Sequence, residues 1–408
     1  MCAASSIIKA MELTPTPPGN DFLEKDEIGR DEPAYPLELY YCENCSHLQL
    51  GHVVDAKILY QKNYTYVSRT SSEFVKHLQE YALEMIERFK IKPKSLIVDI
   101  GSNDGTCLSF FKDHDMKVLG IDPATDIADK ATKSGVETVG DFFSKDLAVK
   151  LRETHGKADF ITSHNACAHI DNLLDIVEGV DYLLDEKGIF VVEVGYLVDV
   201  YKNTWFDTIY HEHLDFHTLA PFEKLFELVG MEVISAQRIS PQGGSIRIIS
   251  QKKNGPFKRD ASVNELINIE RELGLHKAET YNKFEKKISL VKGQLKQLVN
   301  TLKSSGKTIA GFGAPTKATT LMRHFGLDET VIDFIVDDNP LKQGLFTPIS
   351  HIPVLSTEAL YDRKPDYVLI LAWNFAASIM KAHKKYSDEI GEFILPMPVP
   401  QIVNLSTK

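Results

Sequence analysis

Residues 96–106 read Leu-Ile-Val-Asp-Ile-Gly-Ser-Asn-Asp-Gly-Thr, and Gly120-Ile-Asp122-Pro123 follows one helix later. A short apolar run ends in Asp99, passes a loop bounded by Gly101 and Gly105, and opens a helix over 107–113. A second apolar run, 116–121, delivers Asp122 at its C-terminal end. This order predicts half of a nucleotide-binding α/β unit, because glycines let the main chain approach a ligand and an acid at the second strand's end accepts ribose hydroxyls. The loop lacks the Gly-x-Gly-x-x-Gly phosphate fingerprint. It carries Ser102, Asn103 and Asp104 instead. That suits a ligand with an amino-acid tail and no pyrophosphate, a description S-adenosylmethionine meets. An ordinary crossover with an acidic strand end is the plainer alternative.

The chain has 408 residues, enough for two or three domains with a sizeable core. No apolar stretch is long enough to cross a bilayer, and the first residues lack a signal peptide's basic and apolar regions. A net charge of −11 argues against binding to nucleic acid or an acidic membrane. Five scattered cysteines argue against a disulfide framework, so a reducing cytoplasm is expected.

The first stretch of chain differs from the rest. It holds Thr14-Pro-Thr-Pro-Pro-Gly-Asn20, an acidic segment punctuated by Pro33 and Pro36, and Cys42-x-x-Cys45. With little periodic apolar content, it would profit from a metal staple. Helical spacing sets in at 71–89. Strands are then expected at 96–100, 117–121, 159–163, 188–194, 231–240 and 245–251, and the last two resemble the antiparallel closing pair of methyltransferase sheets. Residues 258–305 read as helical, and Tyr281, Phe284, Ile288, Val291, Leu295, Leu298 and Leu302 form a seam suited to packing within the chain. A second α/β unit begins with a strand at 308–311, a glycine-bearing turn at 312–317 and a helix at 318–325, with further strands at 332–336, 367–371 and 393–395.

The densest chemical constellation is Tyr210-His-Glu-His213-Leu-Asp-Phe-His217. A histidine near neutral pKa removes a proton, a neighbouring carboxylate orients it, and a phenol donates to a developing oxyanion. A metal site is disfavoured, since adjacent positions point apart and no His-Glu-x-x-His is present. A solvated polar loop is the structural alternative. His164-Asn165 and His169 follow the 159–163 strand, where a methyl donor is expected, while Cys107 and Cys167 read as small buried hydrophobes. Cys42 and Cys45 are half of a four-thiolate zinc site, with only Cys2 upstream. Gly311-Phe-Gly313-Ala-Pro-Thr-Lys317 offers a phosphate cradle or a tight turn with no ligand, and Asp337 a ribose contact or an Asx turn.

In this order, these segments resemble the S-adenosylmethionine-dependent C-methyltransferases of nucleotide-linked deoxysugars. Matching segments run from Thr14–Asn20 through Tyr35-Pro-Leu-Glu-Leu39, Asn63-Tyr-Thr-Tyr66, the Gly101 loop and Tyr210–His213 to Gly243-Gly-Ser245, Gly311–Ala314, Asp337-Asp-Asn-Pro340 and Lys342-Gln-Gly344. The resemblance implies a Rossmann-like α/β methyltransferase domain at 71–255, a zinc-binding module at 1–70, a helical connector at 256–305 and a second Rossmann-like domain at 306–408. It implies a dTDP-linked 4-keto-6-deoxyhexose as substrate, methylated at C3. His213 takes the general-base position, with Tyr210, Glu212, His169 and Tyr64 around it. Asp99, Gly101, Ser102, Asn103, Gly105, Asp122 and Asn165 would hold the methyl donor. Gly311, Gly313, Lys317 and Asp337 would hold the substrate nucleotide, and Cys2, Cys42 and Cys45 a structural zinc. Cys2 aligns with the second member of a cysteine pair, so this chain opens one ligand short. O- or N-methylation, an NAD-dependent sugar-nucleotide oxidoreductase and a non-catalytic binding protein are the competing readings. A monomer or homodimer is expected.

Overall fold

The structure, a computed structural model, describes residues 1–55, 58–59 and 67–405, Gln242 without its side chain. Three sheets organise it. In the first, β1 (Ile7–Thr16) pairs antiparallel with β2 (Tyr35–Cys42), β2 with β3 (Leu48–Leu50), and β3 with β9 (Asp215–Phe216). The N-terminal segment is thus more regular than its prolines suggest. It needs no core of its own, because Met11, Leu13, Leu37 and Leu39 join one buried cluster with Ile288 and Val291 of the long helix and Leu321 and Phe325 beyond it.

The second sheet contains β4 (Leu96–Ile100), β5 (Lys117–Ile121), β6 (Thr138–Val139), β7 (Ala158–His164), β8 (Leu184–Gly195), β10 (Met231–Ile239) and β11 (Ser245–Lys252). Its order is β10-β11-β8-β7-β4-β5-β6, with β11 antiparallel to both neighbours and β4 to β8 parallel. Strands covered on both faces read as continuous apolar runs. Accordingly Ile97, Phe160 and Val191 bury on one side, and Val98, Ile161 and Val192 on the other. The strand order reverses between β4 and β7, the point where open α/β sheets bind ligands.

The expected single helical stretch is two helices, Ser262–Glu272 and Ala278–Ser304, separated at Gly274, whose φ is +73°. The second buries Tyr281, Phe284, Ile288, Val291 and Leu295 within the chain, against β1 and the helix Thr316–Phe325. The third sheet has β12 (Ile309–Phe312), β13 (Ile335–Val336), β14 (Val354–Leu355), β15 (Tyr367–Ile370), β16 (Glu392–Leu395) and β17 (Gln401–Val403). Its order is β14-β13-β12-β15-β16-β17, parallel except for β17. No helix among the described residues is long and apolar enough to cross a membrane.

Candidate active site and metal centre

At the end of β4, Asp99 is buried, and burial raises its pKa. Gly101 follows with φ +77°, and a Cβ there would lie 2.6 Å from that of Ala166, so only glycine fits both the dihedral and the space. Gly105 precedes the helix Thr106–Lys112. Asp122 holds the loop: its two oxygens accept the main-chain N–H groups of Asn103 at 2.8 Å and Ala124 at 2.9 Å. A carboxylate has about four acceptor positions, so roughly two remain for ribose hydroxyls. Among the described residues, the buried Ser102 hydroxyl has no hydrogen-bond partner. Asn165 turns in the left-handed region just after β7, and its N–H donates to Glu193 O at 2.7 Å. Sequence reasoning missed what lies behind this loop. His164 sits 3.9 Å from Asp99 and 3.8 Å from Glu193, and Glu193 is tied to His77 at 2.6 Å and to Arg247.

The 210–217 segment is a tight loop braced from three directions. The His213 N–H closes a turn on Tyr210 O at 2.9 Å, and Leu214 N donates to Ala168 O at 2.7 Å. β9 then pairs with β3, while the His217 ring bonds Cys167 O at 3.2 Å. His213 Nδ1 lies 2.9 Å from Thr208 O and must donate there, which leaves Nε2 as the acceptor. The Tyr210 hydroxyl donates to that nitrogen at 2.9 Å. Burial, then the neighbouring His169, pushes His213 down to about 3. His169 lies edge-on to it at 5.1 Å and is pushed by burial to about 4. Glu212 is buried too; burial lifts its carboxyl to about 7, although Asn20 donates to it at 3.2 Å and Lys342 pulls the other way. The loop therefore holds neutral bases and a carboxyl poised near neutrality. Tyr64 lies outside the described residues.

Residues of the third sheet reach the same place. Gly311 and Gly313 are strand-end glycines whose N–H groups are engaged with Phe334 O and Val336 O at 2.8 and 2.7 Å. A Cβ on Gly313 would meet Ala372 at 2.5 Å. Asp337 accepts the Ala314 N–H at 2.6 Å and the Asn339 N–H at 2.8 Å. This loop thus satisfies its own amides. Lys317 lies with its ammonium 3.6 Å from the centre of the Trp373 ring, and burial lowers it to about 8. Lys342 donates to Ala314 O at 2.6 Å. Asn20 and Lys342 stand inside motifs visible in the sequence, but nothing local shows that they meet Glu212 across the fold.

At the other end of the first sheet, Cys2, Cys42 and Cys45 bring their sulfurs within 4.8 Å of one another, and Cys2 and Cys42 are 3.6 Å apart. Tetrahedral zinc with bonds of about 2.3 Å requires sulfurs ~3.8 Å apart, so the donor set fits. Against burial, the Asn44 amide and the adjacent thiols hold Cys2 down at about 7, which favours a thiolate. His47 turns away, its Nε2 2.5 Å from Asp215 of β9.

Known proteins agree with this layout. Residues 1–60 match a family model described as "Putative zinc binding domain", 74–236 one described as "Methyltransferase domain", and 240–398 one described as "C-methyltransferase C-terminal domain". C-methyltransferase NovU of Streptomyces niveus is 32% identical over 404 residues, 99% of this chain and 96% of that protein. Among solved structures, the PH0226 protein of Pyrococcus horikoshii OT3 shares 15% identity over 48% of this chain and 98% of its own, with a TM-score of 0.39. Magnesium protoporphyrin IX methyltransferase of Synechocystis PCC 6803, with bound SAH, shares 14% over 44% and 83%, with a TM-score of 0.35. Sheet order, glycine loop and family matches make this protein an S-adenosylmethionine-dependent methyltransferase with an N-terminal zinc module. More narrowly, the chain belongs to the C-methyltransferase family. Membership sets aside the oxidoreductase and the non-catalytic binder.

Proposed function

We infer that the enzyme methylates C3 of a nucleotide-linked 4-keto-6-deoxysugar, through an enolate formed by His213. The observation that carries this reading is a neutral His213 with Nδ1–H fixed on Thr208 O and Nε2 turned to the site beside Tyr210. A carbon next to a ketone is acidic enough for a positioned base to deprotonate, and the enolate carbon is then a nucleophile. As Nε2 takes the proton it stops accepting from Tyr210, and the freed phenol O–H turns to the enolate oxygen. The Gly101–Gly105 loop and Asp122 would hold S-adenosylmethionine, which would supply the methyl group. Glu212 and His169 line the sugar, and residues of the third sheet, Lys317 among them, close the substrate side. Cys2, Cys42 and Cys45 would hold the zinc as a structural ion, away from the chemical step. The test is incubation with S-adenosylmethionine and a panel of nucleotide 4-keto-sugars, read by mass spectrometry, with product NMR locating the methyl group. Methylation of oxygen or nitrogen, or of no member of the panel, would sink the reading.

A further inference from the structure

The helix Thr316–Phe325 belongs to the third sheet's unit but docks on the segment that leads into His213. Thr320 donates to Ile209 O at 3.1 Å, and Phe325 packs on Phe206 with ring centres 4.7 Å apart. Lys317 stands three residues before Thr320, hence on the same helix face. Its ammonium rests on the Trp373 ring, and among the described residues it has no hydrogen-bond acceptor. Trp373 in turn donates its indole N–H to Asp207 at 2.6 Å, and among the described residues the other oxygen of that fully buried carboxylate has no partner. Asp207 adjoins Thr208, whose carbonyl orients His213. Lys317, Asp207 and His213 are thus linked through the Trp373 ring and the Thr208 carbonyl.

We propose that Lys317 is a catalytic residue of the methyl transfer, the cation that receives the enolate oxygen, and not a ligand of the nucleotide's phosphates. The assignment rests on the enolate chemistry inferred above. Phosphate groups are held by several converging donors. Here the amides of Gly311, Gly313 and Ala314 are already engaged, Asp337 occupies the turn, and Asp207 repels a dianion. A single ammonium with unused N–H donors, on an aromatic face, matches one developing negative charge instead. The electrons balance in two steps. The C3–H bond breaks, its proton goes to His213 Nε2, its pair forms C3=C4, and the carbonyl π pair moves onto oxygen opposite Lys317. The oxygen pair then re-forms C=O while the C3=C4 pair attacks the methyl carbon, and the S–CH3 pair leaves on a neutral sulfur.

The experiment compares wild type, Lys317→Met and Lys317→Arg on whichever keto-sugar of the panel the wild type methylates. S-adenosylmethionine affinity and melting temperature report that each variant is folded. Removing one oxyanion donor costs ~10²–10³-fold in rate. In Lys317→Met both turnover and cofactor-free exchange of the C3 hydrogen with deuterated water should fall by that factor, with part recovered in Lys317→Arg. Calorimetry with the matching nucleoside diphosphate, free of sugar, should give wild-type affinity. Lost diphosphate affinity with turnover kept at saturating substrate makes Lys317 a phosphate ligand and overturns the proposal. So does unchanged exchange and turnover in a folded variant. A wild type that methylates no keto-sugar fails the sugar reading itself and takes this assignment with it.

Discussion

The base role proposed for His213 rests on two contacts, Thr208 O on Nδ1 and Tyr210 on Nε2. His213→Asn should leave S-adenosylmethionine affinity near normal while turnover and C3 exchange fall by ~10²–10⁴, and Tyr210→Phe should lose less. A His213→Asn enzyme with wild-type exchange would transfer the base role to His169, 5.1 Å away. Glu212 bears on stability. Its carboxyl is raised from 4.5 to about 7, so the folded state holds the proton more tightly than the unfolded chain. That contribution is complete below pH 4.5 and is lost as pH rises through about 7. Glu212→Gln removes the slope. Relative to wild type it should be more stable at pH 8 than at pH 5, by up to ~3 kcal/mol, read from denaturant midpoints at both values. A difference independent of pH would show that Glu212 titrates normally.

Among the elements, β4, β5, β7, β8, β10 and β11 lie close to where their apolar runs end, because a strand buried on both faces is written continuously in its own residues. The same local character made Asp99, Gly101 and Asp122 legible. β1 and β9 were not. β1 buries against helices far along the chain, and β9 is two residues whose only reason to extend is β3. His169, expected to follow the 159–163 strand, stands in the 3₁₀ turn Ala166–His169. The Lys317 and Trp373 pair was likewise illegible, since contacts between distant segments leave no local spacing to read. The Asp122 bonds to Asn103 and Ala124 give the cofactor loop a test of its own. Asp122→Ala should weaken S-adenosylmethionine binding by ~1.5–3 kcal/mol by calorimetry, as hydrogen bonds to a charged group are lost. Unchanged affinity removes Asp122 from the cofactor site.

For the molecule as a whole, the zinc module and the 210–217 loop are one mechanical unit. Cys42 ends β2, Cys45 lies in the turn to β3, and β3 holds β9 two residues after His213. Stripping the metal with a chelator should therefore lower the melting temperature and the turnover together, while S-adenosylmethionine affinity at the Gly101 loop stays unchanged. Metal analysis and calorimetry on the same sample check this. Turnover that survives complete metal loss would uncouple the two.

The pairing of Leu48 with Phe216, and the bridge from Leu23 to Phe346, also set an order in time. Synthesis delivers β1 to β3 first, yet Phe216 emerges about halfway along the 408 residues and Phe346 only near the end. Contacts of such long sequence separation form slowly, since loop closure precedes any reward. Until then β3 waits with an open edge. The central sheet, whose strands follow one another closely, has no such delay. Competence to bind the methyl donor should thus precede competence to transfer it, both on the ribosome and in refolding.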